Sequence, residues 1–193
     1  MLRRLYDWTM SFSANRHAMW ALFFIAFVES SFFPIPPDIL LLPMVLAARG
    51  NAWKIAAVCT IGSVLGGIAG YGIGFFLYES VGRPVLDFYG YGAKFEAFQA
   101  LYNEWGAWIV AAGGLTPLPF KVITIASGVT GLDMVTFTIA SVLSRGLRYY
   151  LIAALLWYFG APIRTFIEKY LAWIVTGGFV LLLGGFVAIK FLI

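Results

Sequence analysis

Residues 18–48 read AMWALFFIAFVESSFFPIPPDILLLPMVLAA, an apolar stretch of 31 residues that nevertheless contains Glu29, Pro34, Pro36, Pro37 and Asp38. As a single α-helix it would be about 46 Å long, against a hydrocarbon core of about 30 Å, and as two full crossings it is too short. Pro34-Ile35-Pro36-Pro37 also prevents a continuous helix, because a proline lacks a backbone donor and crowds the residue before it. The stretch predicts a hairpin: in along one helix, a broken tip within the bilayer, and out along the next. Such backbone is tolerated at membrane depth only where it is buried in protein or faces a water-filled cavity.

The composition places the whole chain in a membrane. Of its 193 residues 62% are apolar and 11% are charged, against roughly 45–50% and 25% in a soluble domain. Mean hydropathy is +0.89. A soluble sphere of this size could not hide so much apolar surface, and disordered, collagen-like or coiled-coil chains need the opposite composition. The net charge of +4 comes from basic residues spread singly between apolar blocks. That pattern suits anchoring to anionic headgroups and provides no nucleic-acid motif. One cysteine, Cys59, and one histidine, His17, cannot build an intrachain disulfide or a Cys/His metal site. No cofactor motif is present, so none is expected.

Working outward, residues 1–17 have no apolar core but place Leu2, Leu5, Tyr6, Trp8 and Phe12 near helical spacing, predicting a short interfacial helix. His17, beside Arg16, is expected to touch headgroups. Ile55–Tyr78 is long enough to cross, and Gly62, Gly66, Gly70 and Gly74 recur every four residues, the pattern of close helix packing. Gly82–Glu104 is the most polar stretch and reads as an interfacial connection, helical in part. Trp105–Gly131 repeats the opening problem: it is apolar but broken at Gly113-Gly114-Leu115-Thr116-Pro117-Leu118-Pro119-Phe120-Lys121. Met134–Phe159 crosses, carrying Arg145 and Arg148. Residues 161–193 supply a connection and a final crossing at Leu171–Ile193, with Gly177-Gly178 and Gly184-Gly185 for packing.

The two breaks correspond. Pro34-Ile35-Pro36-Pro37-Asp38 answers Pro117-Leu118-Pro119-Phe120-Lys121: each has Pro-x-Pro, then a charge four residues after the first proline, negative in one and positive in the other. The helices that follow match as well. TIGSVLGGIAGY from Thr60 and TIASVLSRGLRY from Thr138 share six of twelve positions, namely Thr, Ile, Ser, Val, Leu and the closing Tyr. The expected fold is therefore an all-α integral membrane protein with an inverted repeat. Each half is a re-entrant helical hairpin followed by a transmembrane helix, and a C-terminal transmembrane helix is added. With the N-terminus inside, Arg3, Arg4, Arg16, Arg49, Lys54, Arg164 and Lys169 fall on the cytoplasmic side and Arg83, Lys94 and Lys190 outside, in keeping with the positive-inside tendency. Inverted repeats with broken helices meeting near mid-membrane are common in secondary transporters.

These blocks resemble the DedA family, also called the SNARE-associated or VTT-domain family, and look most like its small YqaA-like bacterial branch. Glu29-Ser-Ser-Phe-Phe-Pro34-Ile-Pro36-Pro37-Asp38 is similar to the family's Glu…Pro-x-Pro-x-acid block. Gly114-Leu-Thr-Pro117-Leu-Pro119-Phe-Lys121 through Ser127-Gly128 is similar to its Gly-Arg…Pro…Arg…Gly block, with Leu115 and Lys121 in place of the two arginines. Arg145 and Arg148 stand ready to supply the missing positive charge. The likeness covers residues 18–160. It implies a multi-pass protein of the bacterial inner membrane, linked to proton motive force and to moving lipid carriers or phospholipids.

Glu29, Asp38, Lys121, Arg145 and Arg148 all fall in apolar segments, where each charge costs about 2.5–3.5 kcal/mol on insertion scales. They should face inward and pair, and two acids against three bases leave one cation over. Lys121, Arg145 and Arg148 are candidates for binding an anionic headgroup such as a phosphate. Glu29 and Asp38 are candidates for proton carriage. Pro34, Pro36, Pro37, Pro117 and Pro119 shape the hairpin tips. Thr116, Thr124, Ser127 and Ser141 are placed to hydrogen-bond freed backbone. The leading expectation is a lipid flippase or scramblase that moves undecaprenyl phosphate or a phospholipid, with protons as a possible coupling ion. The alternatives are a proton-coupled transporter of a small solute or ion, and a membrane scaffold whose charges are structural. An enzyme is not expected. The glycine faces permit homo-oligomers without requiring them.

Overall fold

The computed structural model describes residues 17–33, 36–116 and 119–160. The surface helix expected over residues 1–17 (His17 excepted), the expected final crossing, and Pro34 and Pro117 lie outside the described residues. Among the described residues the chain is all helical: α1 (Ala18–Ser31), α2 (Asp38–Ala47), α3 (Ala52–Leu77), α4 (Arg83–Phe88), α5 (Gly92–Leu115), α6 (Phe120–Val129) and α7 (Met134–Phe159). A single 3-10 turn, Arg49–Asn51, leads into α3, and a π-helical turn, Tyr78–Gly82, joins α3 to α4. Among the described residues two helical stretches, Arg49–Phe88 and Met134–Phe159, are long and apolar enough to cross a membrane.

The proline-containing stretches interrupt helices where the sequence requires it. α1 ends at Ser31 and α2 begins at Asp38. Amides of Leu40 and Leu41 bond to the Pro37 carbonyl, so Pro36 and Pro37 start α2 rather than continue α1. Pro119 serves α6 in the same way, its carbonyl accepting from Val122 N–H at 3.0 Å. The resulting helices are short. α1 has 14 residues and α2 and α6 have 10 each, or about 21 and 15 Å at 1.5 Å per residue.

α3 and α7 pack against each other at the centre. α1 lies along α3, and α5 lies along α7. α6 packs on α3, and α2 touches α7 as well as α3. Two apolar cores follow from this. One gathers Leu22, Leu41, Met44, Ile55, Cys59 and Tyr149 from α1, α2, α3 and α7. The other gathers Tyr102, Val110, Phe120, Leu132 and Phe137 around α5, α6 and α7. Large apolar side chains also cover the outside: Phe76, Trp108 and Leu143 are exposed, an arrangement suited to lipid and not to water.

The glycine stripe sets the closest approaches. A Cβ on Gly66 would lie 2.0 Å from the Phe27 carbonyl oxygen of α1, and one on Gly74 would lie 2.1 Å from the Ile125 carbonyl oxygen of α6. The first half of the stripe therefore seats α1 and the second half seats α6. This face of α3 is consumed inside one chain; the glycine pairs at 177–178 and 184–185 lie outside the described residues.

One segment differs from its sequence reading. α5 starts at Gly92, well inside the stretch expected to be an interfacial connection, and runs unbroken to Leu115. Residues 93–105 contain no glycine or proline and are rich in good helix formers. Their polar side chains also have structural work. Gln99 Nε2 and Asn103 Nδ2 both donate to the Thr130 carbonyl, at 2.6 and 3.0 Å, satisfying the exposed end of α6. The turn into α7 uses Gly131 at φ +64° and Asp133 as N-cap, whose carboxylate accepts from Thr136 N–H at 2.7 Å. That hydrogen bond holds the fully exposed Asp133 carboxyl below its usual pKa.

Candidate functional site

α7 carries Ser141, Ser144, Arg145 and Arg148 at helical spacing, so that one face presents all four. The face is polar in an otherwise apolar helix, and the neighbouring helices supply what its two guanidinium groups require. Arg145 is 2% exposed. Its Nη2 donates to Glu29 Oε2 of α1 at 2.9 Å and to the Tyr149 hydroxyl, and its Nε donates to Ser63 Oγ of α3 at 2.6 Å. Ser63 Oγ lies 2.7 Å from Ser30 Oγ, which also donates to Glu29 Oε2 at 3.1 Å. The guanidinium packs over the rings of Phe120 and Tyr149, 4.7 and 4.9 Å from their centroids. One side chain thus joins α1, α3, α6 and α7 in a single network.

Arg148 lies three residues on and joins the two breaks. Its Nη2 donates to Asp38 Oδ2 at 2.8 Å, and its Nη1 donates to the Thr116 carbonyl at 2.8 Å. Asp38 opens α2 directly after the first break, and Thr116 closes α5 directly before the second. Both contacts complement helix ends: an acid at the N-terminus of α2 and a cation at the C-terminal carbonyls of α5. The side chains of this pair are 21% and 27% exposed, against 3% and 12% for Arg145 and Glu29. Asp38 Oδ1, Arg148 Nε and Ser141 Oγ are buried with no hydrogen-bond partner among the described residues.

Lys121 is the second residue of α6 and is partly buried. Its backbone carbonyl accepts from Thr124 Oγ1 at 2.9 Å, but among the described residues its ammonium has no ion-pair partner. A cation in the first turn of a helix sits at the wrong end of the macrodipole. Of the five charges expected in apolar segments, Glu29 with Arg145 and Asp38 with Arg148 are brought together, and Lys121 is the one of the five left without an ion-pair partner among the described residues.

Other sequence expectations can be placed. Thr124 Oγ1 also donates to the Ser30 carbonyl at 3.0 Å, tying the start of α6 to the end of α1. Ser127 returns to the Ile123 carbonyl at 2.8 Å, and Thr116 Oγ1 to the Gly113 carbonyl at 3.4 Å. Arg148 is held at the two breaks, while the neighbouring Tyr150 stacks on Trp53, ring centroids 6.1 Å apart. Ser30, Ser63, Phe120 and Tyr149 were not singled out from sequence as site residues. For Ser63 and Tyr149 a signal existed, since both lie in the matched blocks Thr60–Tyr71 and Thr138–Tyr149.

The VTT domain matches residues 35–159. An uncharacterised protein of Haemophilus influenzae is 38% identical over 168 residues, covering 85% of this chain and 87% of that protein. An uncharacterised protein of Histophilus somni is 34% identical over 173 residues, covering 88% of this chain and 90% of that protein. No solved structure matches. The match across the two breaks and the charged face of α7, together with relatives alike along most of their length, shows that the chain belongs to the VTT domain family, the membrane-associated DedA family.

Proposed function

We propose that this protein carries an anionic lipid headgroup across the bacterial inner membrane at the point where its two broken hairpins meet. It does so as a multi-pass transporter and not as an enzyme. The carrying observation is Arg148, bonded at once to Asp38 after the first break and to Thr116 before the second, with Lys121 opening α6 and unpaired among the described residues. A phosphate-bearing headgroup supplies the anion that Lys121 lacks and competes with Asp38 for Arg148. Asp38, bonded to Arg148 at the breaks, is the acid placed to couple a proton to that exchange. Glu29 is a second carrier by type, but its place in the Arg145 network favours a structural part.

The re-entrant inverted repeat belongs to the same reading. It is supported by the lengths of α1, α2 and α6, each well below the approximately 20 residues of a crossing. It is also supported by the packing, in which α1 on α3 has its counterpart in α5 on α7, and α6 on α3 in α2 on α7. Undecaprenyl phosphate and glycerophospholipids both carry the required headgroup chemistry.

The test is headgroup accessibility in liposomes reconstituted with purified protein and a fluorescent anionic phospholipid or a labelled polyprenyl phosphate, with and without a pH gradient. Wild-type protein is expected to move at least one of them, and Lys121→Ala to lose the movement while remaining folded. Dependence on the gradient identifies active coupling; independence identifies scrambling. Wild-type rates in Lys121→Ala would remove the headgroup assignment. No movement of either lipid would remove the lipid reading.

A further inference from the structure

Two open grooves mark the outer surface. One runs along α5 and is walled by residues such as Phe98, Leu101, Trp105 and Trp108, with no charged side chain in its lining. The other, about 340 Å³, lies between the end of α5 and the middle of α7 and is lined by Leu115, Leu147, Arg148, Leu151 and Ile152. Its size is within the range of about 300–1,000 Å³ typical of small-ligand sites. Leu115, Leu147 and Leu151 are each about half exposed, so the groove opens on the outer surface beside α7. Of the two grooves, only this one reaches a charged side chain, and that side chain is the arginine that joins the breaks.

We propose that this groove is a lateral portal: it seats one hydrocarbon chain of an anionic membrane lipid while the headgroup engages Arg148. The inference rests on the lipid reading above and adds where the substrate enters and why it needs a chain. The apolar walls offer nothing to a free inorganic anion, whose only attraction would be the guanidinium. An amphiphile satisfies both parts at once. Its chain lies on Leu147 and Leu151, one turn apart on α7. Its headgroup oxygen meets the exposed part of Arg148, whose side chain is 21% exposed and whose Nη2 exchanges Asp38 for the headgroup. The Thr116 carbonyl, held by the same guanidinium, places the end of α5 at the mouth of the groove, so a lipid arriving there meets the latch between the breaks.

Filling the groove tests this. In phosphatidylcholine liposomes containing fluorescent phosphatidylglycerol, Leu147→Trp and Leu151→Trp are expected to slow movement of the labelled lipid by about tenfold or more. Leu143→Trp, on the lipid-facing side of α7 outside the groove, is expected to keep the wild-type rate. Equal rates in all four proteins, or equal loss in all three variants, would overturn the portal. Because a tryptophan variant can misfold, a second measurement uses wild-type protein and phosphatidylglycerol with a photoactivatable group on its chain. Crosslinks are expected to concentrate on Leu147, Leu151 and Ile152 and to weaken when the same chains carry a choline headgroup. Labelling spread evenly over α7, or indifferent to headgroup, would overturn the inference. Lipid movement without groove labelling would leave the lipid reading and remove the portal. Headgroup-dependent labelling without movement would do the reverse.

Discussion

Glu29–Arg145 and Asp38–Arg148 take their cations from the same helix three residues apart, and each ties part of the first half of the chain to α7. They are built differently. The Arg145 pair is the more deeply buried, with hydrogen bonds to three further side chains, Ser30, Ser63 and Tyr149, and two rings packed against the guanidinium. The Arg148 pair is more open, bonds to a backbone carbonyl at a helix end, and leaves a carboxylate oxygen and a guanidinium nitrogen unpartnered among the described residues. The lesson is that an ion pair in an apolar segment can be a fastener or a latch, and that its burial and the number of side chains bonded to it decide which. Separating the Arg145 pair strands buried charge; under the proposed function, separating Asp38 from Arg148 exposes groups that a headgroup can satisfy.

The comparison predicts a graded series in stability. Removing one partner of a buried pair typically costs about 3–5 kcal/mol, whereas replacing both with apolar groups is often near neutral. Arg145→Ala and Glu29→Gln should therefore give the largest drop in thermal unfolding temperature in detergent. The double variant Glu29→Leu with Arg145→Met should recover much of it. If the single variants melt with wild type, the fastener description fails. Next comes the seat of α1. Gly66→Ala drives a methyl against the Phe27 backbone, and overpacking of this kind costs about 1–3 kcal/mol. A Cβ at Gly72, on the same helix, meets nothing within 4 Å, so Gly72→Ala should stay level or gain up to about 1 kcal/mol. Equal melting of the two variants would mean that the α1–α3 approach does not support the network.

Asp38→Asn and Arg148→Ala are expected to shift melting less than either class above while abolishing lipid movement, and that dissociation is the mark of a latch. A loss of stability as large as that of Arg145→Ala would make both pairs fasteners. The smallest effect belongs to Asp133. Its pKa is lowered on folding by the Thr136 amide, so its contribution is fully present above its unfolded value and is lost as pH falls below about 4. Melting of wild type should approach that of Asp133→Ala over that range, and a constant gap between the two would contradict the capping role.

Much of this was legible in the sequence, because the strongest constraints are local. Pro-x-Pro cannot sit inside a helix, and a 31-residue apolar stretch with such a break cannot be one crossing. Charges within apolar segments must pair, and the count of two acids against three bases already left a cation over. What could not be read was which acid meets which base, since that depends on how α1, α2 and α5 lean on α7. Tyr149 and Phe120 were hidden for a related reason: an aromatic ring looks the same in a sequence whether it packs on lipid or on a guanidinium. The start of α5 could not be read within Gly82–Glu104, whose polar residues, Lys94, Glu96, Gln99 and Asn103 among them, suit an interfacial connection that is helical only in part. Two of them are polar because the end of α6 needs donors, a requirement visible only once Thr130 lies beside them.

The most direct test of the account is the rate at which a fluorescent anionic lipid changes leaflet in liposomes holding equal amounts of folded wild-type or Arg148→Ala protein. The account predicts acceleration over protein-free liposomes by wild type and none by Arg148→Ala. Acceleration by both to the same degree, or by neither, would contradict it.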